Sequence, residues 1–439
     1  MISILSNRTY RHLFAAQVVA LLGTGLATVA LGLLAFDLAG SDAAMVLGTA
    51  LTIKMVAYVT ISPVAGALAS RWPRRRMLVA LDVLRAAVAL LLPFVTEVWH
   101  IYALVFVLQS ASAAFTPTFQ ATIPDVLPEE SEYTRALSLS RLAYDLESLV
   151  SPMLAALLLA VVSSSTLFLG TCLGFIGSAL LVVSVLLPSP APSKPRGFYD
   201  ATLRGLVIYL RTPRLRGLLA LSFSAAAAGA MVIVNTVVLV RGGLGQGDRS
   251  VALTLAAFGA GSMLAALALP RVLDRLPDRR VMVAGAGVMA AVLLTLALVI
   301  AASGLHWPGL LTAWLFLGLG YSAVLTPSGR LLRRSAHPED RPAVFAAQFA
   351  LSHACWLLAY PLSAWVQTRF GAVPALTVLG LLTVAGLATA LRIWRADMPR
   401  ELEHRHDDLS PDHPHLSGAG HHRHVYVIDD LHRHWPHMG

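Results

Sequence analysis

At 439 residues, 56% hydrophobic and only 13% charged, with a mean hydropathy of +0.69, the chain is far too apolar for a water-soluble domain and belongs in a bilayer. Its formal charge of +9 sits in arginines that fall between apolar runs, so membrane topology accounts for the charge and no nucleic-acid partner is expected. Continuously apolar runs such as AAVALLLPFV and LLTLALVIAA exclude a β-barrel, whose strands alternate over about ten residues.

The chain begins MISILSNRTYRH, short and polar, and leads straight into an apolar span, so the first helix is expected to be the insertion signal and no cleaved leader is read. A crossing takes about 20 apolar residues. Twelve helices are predicted, near 13–37, 44–69, 77–95, 100–122, 136–161, 166–187, 216–240, 250–270, 281–303, 307–328, 342–367 and 371–394. Arginines cluster after the second helix (Arg71, Arg74, Arg75, Arg76), the sixth (Arg196, Arg204, Arg211, Arg214, Arg216), the eighth (Arg271, Arg275, Arg279, Arg280) and the tenth (Arg330, Arg333, Arg334, Arg341). The intervening loops carry chiefly Arg241, Arg249 and Arg369. The positive-inside rule then puts the arginine-rich loops and both termini in the cytoplasm of a bacterial-type plasma (inner) membrane. Cys172 and Cys355 fall inside predicted helices, far apart in sequence, and suggest packing rather than a disulfide.

The chain repeats itself. TPTFQATIPDVLPEE from Thr116 and TPSGRLLRRSAHPED from Thr326 align without gaps 210 residues apart; GALASRWPRRR from Gly66 corresponds to PRVLDRLPDRR from Pro270, and Pro152 to Pro361. An all-α membrane protein of two six-helix pseudo-repeats follows, with 1–187 the first half, 188–215 a polar linker, 216–396 the second half and 397–439 a histidine-rich tail expected to be disordered. GALASRWPRRR also resembles the signature between the second and third helices of the major facilitator superfamily, through Gly66, Arg71, Arg74, Arg75 and Arg76. Ser70 stands where that signature has aspartate and Pro73 where it has glycine; Asp274 and Arg275 keep the acid–base pair in the second half. The resemblance implies a secondary transporter with these residues in a gating loop. Neither of the two lysines, Lys54 and Lys194, sits in a P-loop, so ATP-driven transport is not expected.

Charges kept in mid-bilayer usually face a cavity and act there. RLAYDLESLVSP in the fifth helix places Asp145 and Glu147 about 14 to 17 Å deep at 1.5 Å per residue. Arg141 and Asp145 are spaced to pair along one face, as a static clamp or as part of the coupling machinery. Glu147 heads an oxygen-lined stripe with Tyr144, Ser148 and Ser151, and is the expected ligand or proton carrier. Through the repeat, His353 stands opposite Tyr144 and Trp356 opposite Glu147, so an imidazole from one half can approach a carboxylate from the other. Glu147 with His353 would suit a divalent transition metal or protons, while a structural role for His353 stays open. Lys54, twelve residues from Gly66, is a candidate counter-ion.

Ten of the fifteen histidines fall in the last 36 residues: His404, His406, His413, His415, His421, His422, His424, His432, His434 and His437. Imidazole without thiolate suits nickel, cobalt, zinc or copper(II). This tail, with IKMVAYV in the second helix and RALSLSRLAYDLESLVSP in the fifth, resembles the Nre-type nickel resistance exporters. That resemblance implies nickel(II) as substrate and tail ligand, moved outward. Exchange against protons, a monomer and no permanently bound cofactor are expected, and no enzymatic activity is, because no nucleophile, base and orienting group appear together in the loops. An exporter of a drug or siderophore-like molecule and a membrane-bound metal sensor remain the alternatives.

Overall fold

Lipid offers no partner to a backbone N–H or C=O, so each crossing segment has to close its own hydrogen bonds. The computed structural model, which describes residues 2–39, 43–69, 71–188, 197–396, 401–405 and 421–435, does this with long helices. The first half is α1 (Arg8–Ala39), α2 (Ala43–Ala69), α3 (Arg74–Leu91), α4 (Val98–Val126), α5 (Glu130–Leu159) and α6 (Leu167–Val183). An amphipathic helix inside the expected linker, α7 (Phe198–Arg211), leads to the second half. There the chain forms α8 (Pro213–Val237), α9 (Asp248–Arg275), α10 (Asp278–Ser303), α11 (Trp307–Leu325), the short α12 (Ser328–Arg334), α13 (Arg341–Phe370) and α14 (Ala372–Ile393). Eleven of the described helices are long and apolar enough to cross a membrane, and α5 has the length but carries the interior charges. The expected two sets of six long helices are therefore present.

Local chemistry sets the boundaries. Proline in the first turn starts α8, α11 and α13, where its missing N–H is harmless. Gly304 and Gly371 end α10 and α13 at φ of 83° and 87°, where a Cβ would be strained.

The halves meet where α2 packs on α13 and α5 on α9. Gly66 is what lets α2 approach: a Cβ there would come within 2.7 Å of the Ala346 methyl and 3.1 Å of Ala343 Cα. Nearby, Ser62 donates to the Ala346 carbonyl at 3.0 Å. Next to this contact the arginine-rich ends are laced together. Asp125, at the end of α4, accepts from Arg74 of its own half and, at 2.7 Å, from Arg341 of the other. Glu130 accepts from Arg334, which also reaches Asp278 at 2.8 Å, and Arg330 donates to Thr134 at 2.8 Å.

The gating residues read from the sequence divide accordingly. Arg74 is buried in this network, Arg75 donates to the Val183 carbonyl, and Arg71 is exposed. Ser70 lies outside the described residues. Asp274 and Arg275 end α9 on the exposed surface, and among the described residues Asp274 has no ion pair; the chain turns at Leu276 and Pro277, and Asp278 takes the acid's place facing the arginines.

Part of the tail, 397–439, takes up regular structure. Strands β1 (Glu401–Arg405) and β2 (His421–Val425) pair antiparallel, with His404 opposite His422, and residues 426–435 dock on the second half. Backbone pairing and burial of Tyr426 and Ile428 supply the order that composition alone did not suggest. His406, His413, His415 and His437 lie outside the described residues.

Two outcomes are expected. Asp125→Asn removes the charge shared by Arg74 and Arg341; because stripping one partner from a buried pair costs about 3–5 kcal/mol, the closed end should loosen. Alkylation of a cysteine placed at the fully buried Ser62 should then speed up, and an unchanged rate would show that Asp125 does not hold the halves. In the tail, the hydrogen bond to Asp429, against the opposing effect of burial, raises His337 above its ordinary value, and Glu339 and Asp340 act in the same direction. A raised histidine stabilises docking fully below its ordinary pKa of about 6.5 and loses that contribution as pH climbs through the raised value. Amide protection of 426–435, corrected for intrinsic exchange, should fall over that rise.

Candidate functional site

Between the halves, away from the laced end, the interior charges and a run of aromatic side chains face one another. Helix α5 brings Arg141 and Asp145 together as their spacing predicts: the guanidinium donates to both carboxylate oxygens, one through Nε at 3.3 Å. The same Nε reaches Ser262 of α9 at 3.0 Å, and the guanidinium lies 4.9 Å from the centre of the Tyr321 ring on α11. Asp145 is 4% exposed, so the pair is a buried, hydrogen-bonded bridge across the halves, where a lone charge would be very costly.

Glu147 is placed differently. It is half-buried, and among the described residues it has neither a hydrogen bond nor an ion pair. It packs over Gly25 of α1, where a Cβ would stand 2.8 Å from Glu147 Oε1 and 2.1 Å from Ser151 Oγ. Lys54 acts on it electrostatically without making an ion pair among the described residues, and Tyr144 lies within the same reach. Lys54 Nζ instead sits 5.6 Å from the centre of the Tyr58 ring.

Tyr58 starts an aromatic band that sequence reading did not assemble. Its hydroxyl donates to Gln109 at 2.9 Å, and its ring meets Phe349 at 4.9 Å and His353 at 4.7 Å between centroids. His353 donates through Nδ1 to the Phe349 carbonyl at 2.7 Å, since a carbonyl can only accept; its neutral form then leaves Nε2 as a lone pair beside the rings. Further along α13, Trp356 meets Tyr360 at 4.9 Å and Tyr321 at 6.3 Å, and Tyr321 meets Phe258 at 5.5 Å. Phe349, His353, Trp356 and Tyr360 recur at intervals of four, three and four, a stripe along one face of the helix that was legible in the sequence.

The repeat is honoured in the packing and broken in the chemistry. Trp356 lies over Gly229 of α8, where a Cβ would come within 2.3 Å of the indole, as Glu147 lies over Gly25 of α1. Among the described residues, no three His, Cys, Asp or Glu side chains gather into a group that could hold a metal. Of the expected metal-binding residues, Glu147 and His353 line the interior, His432 and His434 belong to the docked tail, and His404, His421, His422 and His424 are described only as strand positions.

The sequence profile described as Major Facilitator Superfamily matches residues 13–307 and 218–419. Macrolide efflux protein A of Streptococcus pyogenes is 27% identical over 181 residues, 40% of this chain and 44% of the relative. The uncharacterized MFS-type transporter YfiS of Bacillus subtilis is 25% identical over 213 residues, 46% of this chain and 49% of the relative. The chain thus spans about half the length of the curated relatives it matches. In fold it is similar to the human organic anion transporter MFSD10 (TM-score 0.72, 16% identity, covering 87% of this chain and 99% of that one). It is similar also to a bacterial homologue of the iron transporter ferroportin in its outward-facing state (TM-score 0.71, 14% identity, 88% and 98%).

Replacing either glycine with alanine tests the two cradles. Each added methyl overpacks a filled contact, at a cost of about 1–3 kcal/mol, so Gly25→Ala and Gly229→Ala should each lower the thermal unfolding midpoint. Only Gly229→Ala should also change the interior tryptophan fluorescence; the same change in Gly25→Ala would place Trp356 elsewhere.

Proposed function

Because the chain belongs to the major facilitator superfamily, we propose that it is a proton-coupled exporter of an amphipathic organic molecule bearing an aromatic or apolar body. The observation that carries this reading is the pair of aromatic clusters set along one face of α13, Tyr58 with Phe349 and His353, and Trp356 with Tyr321 and Tyr360, together with Glu147, which has no hydrogen bond or ion pair among the described residues. Rings supply area for an apolar cargo without demanding one geometry. Glu147 supplies a charge that a proton can cancel, and proton and cargo need only bind it in competition for flux of one to drive the other. The efflux activity named for the macrolide relative is in keeping with this class of cargo.

In this reading the arginine-rich face is cytoplasmic, by the positive-inside rule, and the Asp125 and Glu130 network closes that side. The described state then faces outward, with Glu147 open to protonation and cargo release. Rocking of the halves breaks the network, exposes the site to the cytoplasm and allows deprotonation and reloading.

A second reading is favoured by the tail: export of a divalent transition metal, nickel or cobalt, with Glu147 and His353 as interior ligands and the tail histidines as a collector. Inside-out vesicles energised by a proton gradient separate the two. Ethidium should accumulate and be lost with an uncoupler, and Glu147→Gln should lower the gradient-driven rate about tenfold or more, the loss of one essential protonation. Accumulation of radioactive nickel but not ethidium would transfer the assignment to the metal reading. Nickel bound without any flux would point to a sensor and reject both.

A further inference from the structure

The docked end of the tail has no part in transport as derived above. Residues 426–435 lie over the arginine-rich end of the second half, with Tyr426 and Ile428 in its main apolar cluster and Trp435 packed against it. Arg211 donates to the Arg433 carbonyl at 2.9 Å. Arg214 donates to the Tyr426 carbonyl at 3.3 Å, to that of Arg334 at 2.8 Å and to Ser335 Oγ at 2.7 Å, with its guanidinium 5.6 Å from the Trp435 ring centre. Arg204 binds Asp430 at 3.0 Å and Asp340 at 2.9 Å. Asp429 accepts from the backbone and Nδ1 of His432, at 2.7 and 2.9 Å, and from Nε2 of His337 at 3.2 Å.

His337 touches the segment directly, while Arg214 links it to Arg334 and Ser335 and Arg204 links it to Asp340. All four lie between the end of α12 and the start of α13, bounded by Arg334 and Arg341, the two arginines that grip Glu130 and Asp125 of the other half. The docked segment is strapped to the device that closes the bundle. His432 is the buried centre of the strap, at 3% exposure, whereas His434 is exposed, and the strand leading in contributes His421, His422 and His424.

We propose that residues 426–435 form a metal-released strap: docked, they brace the loop at 334–341 and keep the arginine-rich side closed, and a divalent transition metal that recruits His432 with its flanking histidines pulls them off. His432 is engaged with Asp429 and shut away from solvent, so it joins a metal only by leaving its seat. A ligand that binds one of two states shifts the balance toward that state by its differential affinity, and here the metal-binding state is the undocked one. Metal arriving at this face would thereby free the loop. The inference is independent of whether the cargo is organic or metallic, since it concerns the gate.

Hydrogen exchange on the full-length protein in lipid nanodiscs tests it. Nickel(II), but not magnesium, should speed exchange of 426–435 and of 334–341 together, by about tenfold or more. His432→Gln, which keeps a donor for Asp429 but loses the imidazole, should stay docked and no longer respond to nickel. Trp435→Ala should speed exchange at 334–341 without metal. Exchange in 426–435 that is unchanged or slowed by nickel would overturn metal release, as would a parental response in His432→Gln; an unaffected 334–341 in Trp435→Ala would overturn the brace.

Discussion

A carboxylate shared between the halves sets the character of their arginine-rich join. Asp125 ends a helix of the first half and is shared by Arg74 from the same half and Arg341 from the other, so one charge serves two guanidinium partners across the join. Such a pair gains little over an apolar contact when intact and loses much when one member is stripped away. That asymmetry suits a gate: solvation of all the partners together on opening is tolerable, while loss of one is not. The Glu130, Arg334 and Asp278 cluster repeats the arrangement beside it.

Much of this was legible in the sequence, for definite reasons. Helix positions followed from the thickness of hydrocarbon, and the two halves from Thr116 and Thr326 standing at one offset. The spacing of Arg141 and Asp145 gave their pairing because a single helix fixes it. What escaped were contacts between elements distant in sequence. Asp125 carries no signal of its own, and the family signature drew the eye to Ser70 and Asp274 instead. The tail's composition argued for disorder, yet its last described stretch, VYVIDDLHRHW, holds enough apolar surface to dock once Arg211 and Arg214 satisfy its carbonyls. Composition averages over such a segment; packing does not.

The interior combines a fixed bridge with an uncommitted acid. Arg141 and Asp145 neutralise one another and tie α5 to α9 and α11, so they steady the halves. Glu147, two residues on and about 200° around the helix, lies instead over Gly25 of α1. Two carboxylates two residues apart thus have different surroundings because the helix turns them to different neighbours.

The paired cradles at Gly25 and Gly229 carry a consequence for how such a protein can change. The two crossings are built alike, yet one seats an acid and the other an indole. The same close approach of backbone thus accommodates side chains of opposite chemistry in the two halves of a duplicated scaffold. A substitution along the aromatic face of α13 can therefore leave the acid on α5 and its neighbours untouched. Duplication fixes the packing of such a scaffold while leaving the chemistry of each half to vary on its own.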